Sequence, residues 1–502
     1  MSGSKARRGP GAGDEGGDGG GSDGGGAGGG GRVVRLEQVG AGAGTSAAGA
    51  AGGVVLGPEG AGGGSARAAW RWGDGGMQGG MASGVRSLYI HTPFCVHKCH
   101  YCDFYSFVDN RDQQGAFVER LTAELRALAV HARDEAGRKV RLESIFVGGG
   151  TPSLLRTDLW ERVLGVLHEG FDLSGMGAGG ERERGARGEG REGGEFTVEC
   201  NPESTTAELL KVLVAGGVNR VSVGAQSFDT RHLATLERWH EPVNVERAIR
   251  LAQEAGVARQ SVDLIFGVPG QSVAEWRADL ERALALGTGH LSCYNLTYEP
   301  NTAMTVRLKR GEFVPADEDT EAEMFELTGK VLADAGLGRY EVSNYARAGQ
   351  ESRHNLVYWR QGQWLAAGPS ASGHVWAGGG AGGGAKGGWR WKNVANLGTY
   401  LSRSDGGYAP ATDVEAPDAG RAVRERLMTG LRLAEGVDGA AVMADAEAAC
   451  PGSGERLAAK WAEFAGDGLL REEEGVRGRW RVSERGWLLA DFVAKRLMAC
   501  VG

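Results

Sequence analysis

From residue 86 to residue 298 the chain alternates short apolar runs with longer segments of helical periodicity, and this alternation limits the possible folds most. The runs are rich in β-branched and aromatic residues, which favour strands. Six runs predict strands: SLYIHT (87–92), SIFVGGG (144–150), FTVEC (196–200), RVSVGAQ (220–226), QSVDLIFG (260–267) and HLSCYNLTY (290–298). The segments between them have the spacing of amphipathic helices. Helices are predicted over 117–132, 206–217, 244–256 and 273–287.

Strands that alternate with helices predict βαβ units, a parallel sheet and the α/β class. Six such units make a partial (β/α)6 barrel, whose functional groups lie at the carboxyl ends of the strands. The residues after each predicted strand agree with this arrangement, because they are polar or contain Gly and Pro. These groups are HTPFC, GGGTP, ECNPES, GAQSF, FGVPGQ and NLTYEP.

The sequence changes character beyond about residue 410. Two amphipathic helices are predicted over 423–437 and 456–470, and a strand, a turn and a final helix over 479–498. This succession predicts a small, mostly helical, winged-helix-like domain over 410–502. The acidic composition of the chain argues against DNA as its partner.

Glycine-rich tracts divide the rest of the chain, which contains 88 glycines. Residues 1–84 have too few apolar side chains to offset the entropy of ordering them, so this segment is predicted to be disordered. The barrel is predicted over 85–376, with a Gly-, Arg- and Glu-rich insertion over 174–194. A Gly-rich linker and connector over 377–409 leads to the C-terminal domain.

The net charge of −8 and the lack of a persistently basic stretch do not indicate extended contact with nucleic acid or an anionic membrane. No run of 18 apolar residues occurs, so no membrane-spanning helix is predicted. Seven cysteines, three of them within eight positions, indicate a reducing compartment and a metal or cluster site. The basic start MSGSKARRG is soon followed by acids, so the location stays open between the cytoplasm and a mitochondrion or plastid.

The segment CVHKCHYC has the spacing C-x3-C-x2-C directly after the first predicted strand. Three thiolates so close can hold three irons of a cubane and leave the fourth iron open to S-adenosylmethionine. The alternative is structural zinc, which needs a fourth ligand. The predicted cluster ligands are Cys95, Cys99 and Cys102, and the candidates for a fourth zinc ligand are His97, His100 and Cys200. An aromatic residue before the last cysteine, Tyr101, favours the cluster.

YIHTPFCVHKCHYCDFYS resembles the cluster loop of the radical-SAM family that contains oxygen-independent coproporphyrinogen III oxidase and the HemW-type heme chaperones. The resemblance extends over about residues 86–375 and continues into the C-terminal domain. It implies a radical-SAM barrel with a [4Fe–4S] cluster and S-adenosylmethionine. The residues implied to contact the cofactor are Tyr89, Tyr101, Gly149, Gly150, Thr151, Glu199, Gln226, Arg238 and Asp263. Taken singly, Arg238 fits an exposed helix, and Glu199 or Asp263 fits a helix cap.

Two features distinguish the members of this family. The oxidases carry a fourth cysteine two residues after the third, where this chain has Phe104. HNLVYW resembles the HNxxYW motif associated with heme binding in HemW-type proteins, which makes His354 the candidate heme ligand; a buried structural histidine is the alternative. His374, shifted by two residues from the family's GxGAH segment, is given no role.

The resemblance therefore implies a heme chaperone with a heme-acceptor protein as partner and an electron donor such as flavodoxin or ferredoxin. It also admits a homodimer and weak membrane association. The alternative functions are an oxidase that decarboxylates coproporphyrinogen III, and a scaffold that has lost its cluster.

Overall fold

A computed structural model describes residues 85–133, 137–176, 183–184, 190–191, 193–376, 387–404, 406–473, 476 and 478–502. The segment 1–84, predicted to be disordered, and residues 377–386 of the predicted linker lie outside the described residues. Part of the insertion 174–194 is described, and it contains a two-residue antiparallel pair of strands.

The strands are β1 (Ser87–Thr92), β2 (Phe94–Cys95), β3 (Phe107–Val108), β4 (Ser144–Gly149), β5 (Glu183–Arg184), β6 (Gly190–Arg191), β7 (Glu195–Cys200), β8 (Arg220–Gln226), β9 (Arg259–Phe266), β10 (His290–Asn295), β11 (Gly338–Arg339), β12 (Asn344–Ala346), β13 (Leu365–Ala367), β14 (Ser372–Trp376), β15 (Gly388–Asn393), β16 (Ala411–Glu415), β17 (Val437–Asp438), β18 (Leu470–Glu472) and β19 (Arg479–Val482). All six predicted strands are present, with ends that differ by at most three residues.

The helices are α1 (Gln114–His131), α2 (Thr157–Gly170), α3 (Ala207–Ala215), α4 (Thr230–Thr235), α5 (Pro242–Glu254), α6 (Val273–Ala285), α7 (Ala303–Lys309), α8 (Glu318–Asp334), α9 (Arg353–Trp359), α10 (Leu397–Ser402), α11 (Ala419–Gly430), α12 (Gly439–Ala449), α13 (Ser453–Gly466) and α14 (Ala490–Met498). The four helices predicted in the barrel region are α1, α3, α5 and α6. The helix α2 was not predicted, although its buried residues recur at helical spacing.

Nine strands form one sheet in the order β11-β12-β10-β9-β8-β7-β4-β1-β13. Six of these strands are parallel to one another: β1, β4, β7, β8, β9 and β10. They lie side by side in the order in which they occur along the chain. Because parallel crossovers are right-handed, each connection passes over the same face, and the helices cover one side of the sheet. β13 adds a parallel strand at one edge and β12 an antiparallel strand at the other. The α/β fold with a partial barrel is confirmed.

Apolar and polar residues alternate along the central strands of the sheet. On β8, Val221, Val223 and Ala225 are buried apolar residues, whereas Ser222 and Gln226 point to the other face. Polar residues of β8, β9 and β10, together with Ser352 and Asn355, surround an internal void of about 20 Å³. The barrel therefore has an apolar outer face against its helices and a polar interior.

An ion pair within the sheet joins the beginnings of β7 and β8. Arg220 Nε donates to Glu195 Oε2 at 2.9 Å, and both side chains are almost inaccessible to solvent. The guanidinium also donates to the carbonyl oxygens of Gln350 and Glu351, while Glu195 Oε1 accepts from the backbone N–H of Arg353 at 2.9 Å. The pair therefore fastens the segment before α9 to the amino-terminal end of the barrel.

The C-terminal region has a separate core of apolar residues from Val423 to Val501. The helices α11, α12 and α13 precede the antiparallel strands β18 and β19, which lead to α14. β16 lies after residue 410 but pairs with β15, and its Val414 packs with the barrel core. The mostly helical character is confirmed, and the exact domain boundary stays a prediction. Within the described residues no helix is both long and apolar enough to cross a membrane.

Replacement of Glu195 by alanine tests the buried ion pair. Glu195→Ala leaves the Arg220 guanidinium buried without its charge partner, so we expect the free energy of unfolding to fall by about 3–5 kcal/mol. Glu254→Ala is the matched control, because Glu254 forms an exposed pair with Arg250 and its loss changes stability by less than about 1 kcal/mol. Chemical denaturation measures both; equal losses would contradict the prediction.

Candidate cofactor site

The loop that carries the three closely spaced cysteines begins at the carboxyl end of β1. Cys95 lies on β2, which pairs with β3, and the backbone N–H of Cys102 donates to the carbonyl oxygen of Cys99 at 3.2 Å. All three cysteines are free thiols and partly exposed. They line a cavity of about 370 Å³ at this end of the barrel. The site therefore lies where a parallel barrel places its functional groups.

Eleven of the thirteen residues predicted from the sequence line this one cavity, whereas Tyr89 and His354 do not. The eleven are Cys95, Cys99, Tyr101, Cys102, Gly149, Gly150, Thr151, Glu199, Gln226, Arg238 and Asp263. They come from β2, β4, β7, β8 and β9 and from the segments that follow these strands. The fold thus brings together groups that are up to 168 positions apart in the sequence.

The glycine turn after β4 is shaped by close contacts that exclude side chains. Gly149 has φ of 105°, and a Cβ there would lie 2.4 Å from the imidazole of His91. A Cβ on Gly150 would lie 2.6 Å from the carbonyl oxygen of Phe94. The backbone N–H of Gly149 donates to Glu199 Oε2 at 3.0 Å. The turn therefore exposes backbone to the cavity and is fixed by the carboxylate on β7.

The imidazole of His91 packs against the backbone of this turn at Gly149. Burial lowers its pKa to about 4, so the imidazole is neutral at physiological pH. Nε2 donates to the carbonyl oxygen of Tyr105 at 2.8 Å, and Nδ1 therefore accepts from the hydroxyl of Tyr89 at 3.0 Å. His91 was not identified from the sequence. The period-two alternation of SLYIHT, which places Tyr89 and His91 on one face, is the signal that could have found it.

The ends of β8 and β9 supply polar groups to the cavity. Gln226 adopts the left-handed conformation, with φ of 63°, and its buried Oε1 has no hydrogen-bond partner among the described residues. Ser222, which was also missed, donates to the Asp263 carboxylate at 3.0 Å. Burial raises the pKa of Asp263 to about 6 despite this donor. Strain and an unpaired buried oxygen are typical of a ligand-binding position.

The side chain of Arg238 contacts both the sheet, at β8, and the cysteine loop. Its Nη2 donates to the carbonyl oxygen of Gly224 at 2.7 Å, and its Nη1 lies 3.5 Å from Cys99 Sγ. Nε is buried and has no acceptor within the described part of the chain. The alternative of an exposed helix residue is therefore wrong. The guanidinium is held beside a thiol, with one donor left for a ligand.

Burial raises the pKa of the Cys102 thiol to about 12 and also raises the pKa of the Cys95 thiol. The hydroxyl of Thr151 lies 3.6 Å from Cys95 Sγ, and the ammonium group of Lys98 donates to the carbonyl oxygen of Phe104 at 2.5 Å. Without a metal, the thiols of Cys95 and Cys102 keep their protons at neutral pH, and iron binding must release these protons.

The positions of the sulfur atoms argue against structural zinc. A zinc ion with Zn–S bonds of about 2.3 Å would hold tetrahedral sulfurs about 3.8 Å apart. Among the described residues, the cysteines form no group of three ligand atoms within 4.8 Å of one another. Of the candidate fourth ligands, the ring of His97 stacks on Trp239 with 3.8 Å between centroids, and the buried thiol of Cys200 lies 3.7 Å from the carbonyl oxygen of Val198. These positions do not assemble the four ligands of a structural zinc site.

The residues fit a [4Fe–4S] cluster with S-adenosylmethionine. Three thiols face a cavity that has room for a ligand beside them, and the Gly149–Gly150 turn forms a cradle that a Cβ would fill. The carboxylates of Glu199 and Asp263 and the unpaired Gln226 oxygen supply acceptors for hydroxyl and amino groups. Arg238 supplies a donor for a carboxylate.

The two predicted residues that do not line the cavity lie deeper in the barrel. The ring of Tyr89 stacks on Phe146, and its hydroxyl is bonded to His91. Tyr89 does not line the cavity in this conformation, and its contact with the cofactor stays a prediction. Tyr89 instead supports His91.

His354 is a core residue at the amino-terminal end of the barrel. Burial lowers its pKa to about 3, its Nδ1 is bonded to Ser144 Oγ at 2.9 Å, and its Nε2 to the hydroxyl of Tyr358 at 2.8 Å. Its ring also stacks on Phe146. Both nitrogens are occupied and inaccessible, so in this conformation His354 offers no ligand to a heme iron. The alternative of a buried structural histidine describes it.

Comparison with known proteins agrees with the site. A family model for the Radical SAM superfamily matches residues 89–283. A heme chaperone HemW of Mycobacterium tuberculosis is 34% identical over 415 residues, which are 82% of this chain and 94% of the relative. A mouse protein named radical S-adenosyl methionine domain-containing protein 1, mitochondrial, is 36% identical over 292 residues, 58% of this chain and 61% of the relative.

Among solved structures, the coproporphyrinogen III oxidase HemN of Escherichia coli, described as a radical SAM enzyme, matches with a TM-score of 0.65. The match covers 86% of this chain and 92% of that protein at 21% identity. At this identity the match shows the shared fold, including the helical C-terminal region.

Replacement of a cluster-loop cysteine tests the ligand assignment. Cys99→Ser removes one thiolate, so anaerobic reconstitution is expected to leave less than about a tenth of the iron and sulfide bound by the unaltered chain. Cys450→Ser is the control, because Cys450 is a free, partly exposed thiol that does not line the cavity. Iron analysis of both variants measures the difference. Full iron content in Cys99→Ser would refute the assignment.

The glycine turn gives a second prediction. In Gly150→Ala the new methyl group meets backbone oxygens that cannot move aside easily, so we expect binding of S-adenosylmethionine to weaken about tenfold or more while the iron content stays normal. Gly165→Ala, on α2, is the control, because a Cβ there has no heavy atom within 4 Å. Isothermal titration of the reconstituted proteins measures the affinity. Unchanged affinity in Gly150→Ala would show that the turn does not hold the ligand.

Proposed function

The chain belongs to the HemW family of radical-SAM proteins, and we propose that it binds heme and transfers it to an acceptor protein. The proposal is supported by the relative from M. tuberculosis, named a heme chaperone, of which this chain covers 94%. Radical-SAM membership implies a [4Fe–4S] cluster and S-adenosylmethionine, and the cavity at the carboxyl end of the barrel has the groups to hold both.

We assign the cofactor contacts as follows. Cys95, Cys99 and Cys102 would each bind one iron through sulfur. Glu199 would hold the glycine turn in position and accept from the amino group of S-adenosylmethionine, and Arg238 would donate to its carboxylate. When bound, such a cluster supplies an electron to S-adenosylmethionine.

One observation favours the chaperone over the oxidase. Phe104, at the position where the oxidases of the family carry a fourth cysteine, lines the cavity beside the cluster loop. An apolar ring there provides no thiol for chemistry on a substrate. The match to HemN shows the fold alone and gives no support to an oxidase.

The partners follow from the proposed function. Transfer requires a heme-acceptor protein, and reduction of a cluster requires an electron donor such as flavodoxin or ferredoxin. A homodimer and weak membrane association stay predictions, as does the choice between the cytoplasm and an organelle. The mouse relative, whose name places it in mitochondria, supports the organelle.

Anaerobic reconstitution followed by two parallel assays tests the function. With heme, we expect a complex with a dissociation constant of about 1 µM or tighter, seen as a shift of the heme absorbance. With coproporphyrinogen III, S-adenosylmethionine and a reductant, we expect no vinyl product. Absence of heme binding by a protein with its full complement of iron would refute the chaperone, and vinyl product would establish the oxidase.

A further inference from the structure

The helix α7 packs against the cysteine loop, although none of its residues is among the cofactor contacts assigned above. The backbone N–H of Met304 donates to the carbonyl oxygen of His100 at 2.8 Å. Met304 lies in the first turn of α7, where the N–H groups have no acceptor within the helix. The start of the helix is therefore fastened to the segment between Cys99 and Cys102.

The side chain of Met304 belongs to a small apolar core beside the same segment. The two ligand cysteines Cys99 and Cys102 are partly buried and pack against this core. It therefore joins α7 to the cysteine loop and to the carboxyl ends of β9 and β10. Its buried members are Tyr101, Leu236, Ile265, Val268, Leu296 and Met304.

Arg307, nearly one turn further along α7, contacts the ring of His100. Its Nη1 donates to His100 Nδ1 at 3.2 Å and to the carbonyl oxygen of Thr235 at 3.3 Å. Because a guanidinium has donors only, His100 Nδ1 is the acceptor and carries no proton. His100 is thus held twice from α7, through its backbone by Met304 and through its ring by Arg307.

Two further contacts hold the guanidinium of Arg307 in place. Its Nε donates to Glu312 Oε2 at 3.1 Å, and its central carbon lies 5.6 Å from the centroid of the Phe313 ring. The side chain of Arg307 is 28% exposed, so water screens its contacts less than those of a fully exposed arginine. The donor that His100 receives is therefore preorganised.

We propose that Arg307 is a positioning residue for the iron–sulfur cluster, which fixes the ring of His100 and thereby holds the segment between Cys99 and Cys102 in the conformation that binds iron. The proposal rests on the [4Fe–4S] cluster assigned above and not on heme transfer. Arg307 also places a positive charge beside the cysteine loop. Since nearby charge is one of the factors that set the potential of a cluster, this charge favours the reduced state.

Two arginines of the same helical region give a matched test in the full-length, reconstituted protein. Arg307→Ala removes the donor to His100, whereas Arg310→Ala removes a 70% exposed side chain that pairs with Glu312 at 3.8 Å. We expect Arg307→Ala to bind the normal amount of iron, to lose it to a chelator about tenfold faster, and to have a more negative reduction potential. Arg310→Ala is expected to match the unaltered protein in all three measurements.

A double-mutant cycle shows whether Arg307 acts through His100. His100→Ala leaves α7 unchanged and is also expected to speed the loss of iron, while Arg307→Ala/His100→Ala should be no faster than the faster single variant. His100→Asn, whose amide oxygen can replace Nδ1 as the acceptor, is expected to restore a rate near that of the unaltered protein.

The rates of iron loss separate failure of this proposal from failure of the cluster assignment. Equal rates and equal potentials in Arg307→Ala and Arg310→Ala would overturn the positioning role while the cluster stands. Multiplied rates in the double variant would show that Arg307 does not act through His100, which also overturns the proposal. If the unaltered protein binds no iron, the cluster assignment and the positioning role fail together.

Discussion

The structure depends on the parallel pairing of six strands in chain order. This pairing fixes the register, and since successive side chains of a strand point to opposite faces, the register decides which residues enter the barrel. It brings the cysteine loop, the glycine turn, Glu199, Gln226 and Asp263 to one end although they are distant in the sequence. The buried pair of Glu195 and Arg220 closes the other end and holds the segment before α9.

Much of the fold and of the cofactor site could be predicted, because period-two strands and C-x3-C-x2-C are local patterns. The strands were located to within three residues, and eleven site residues line one cavity. The position of Tyr89 and His354 outside this cavity has a different cause. Their motifs show that the residues belong to the family's pattern, but the face of an element on which a side chain lies depends on packing. Tyr89 and His354 both contact Phe146 in the interior, a relation that spans more than 200 residues.

Polar residues are buried beneath the cofactor cavity because they hold the glycine turn in place. A Cβ at Gly149 is excluded by His91, and His91 is held by Tyr89 and by the backbone at Tyr105. The glycine turn is thus supported by His91 and Tyr89, two side chains that do not line the cavity. Such support keeps a site in its binding geometry before the ligand arrives, which lowers the entropic cost of binding.

The length of β1 separates the two ends of the barrel. Its six residues, from Ser87 to Thr92 before the cysteine loop, span about 20 Å at the rise of an extended strand. The buried pair of Glu195 and Arg220 therefore lies about one strand length from the cavity that the cysteines line. Substitutions near this pair can change the stability of the barrel without touching a molecule bound in that cavity.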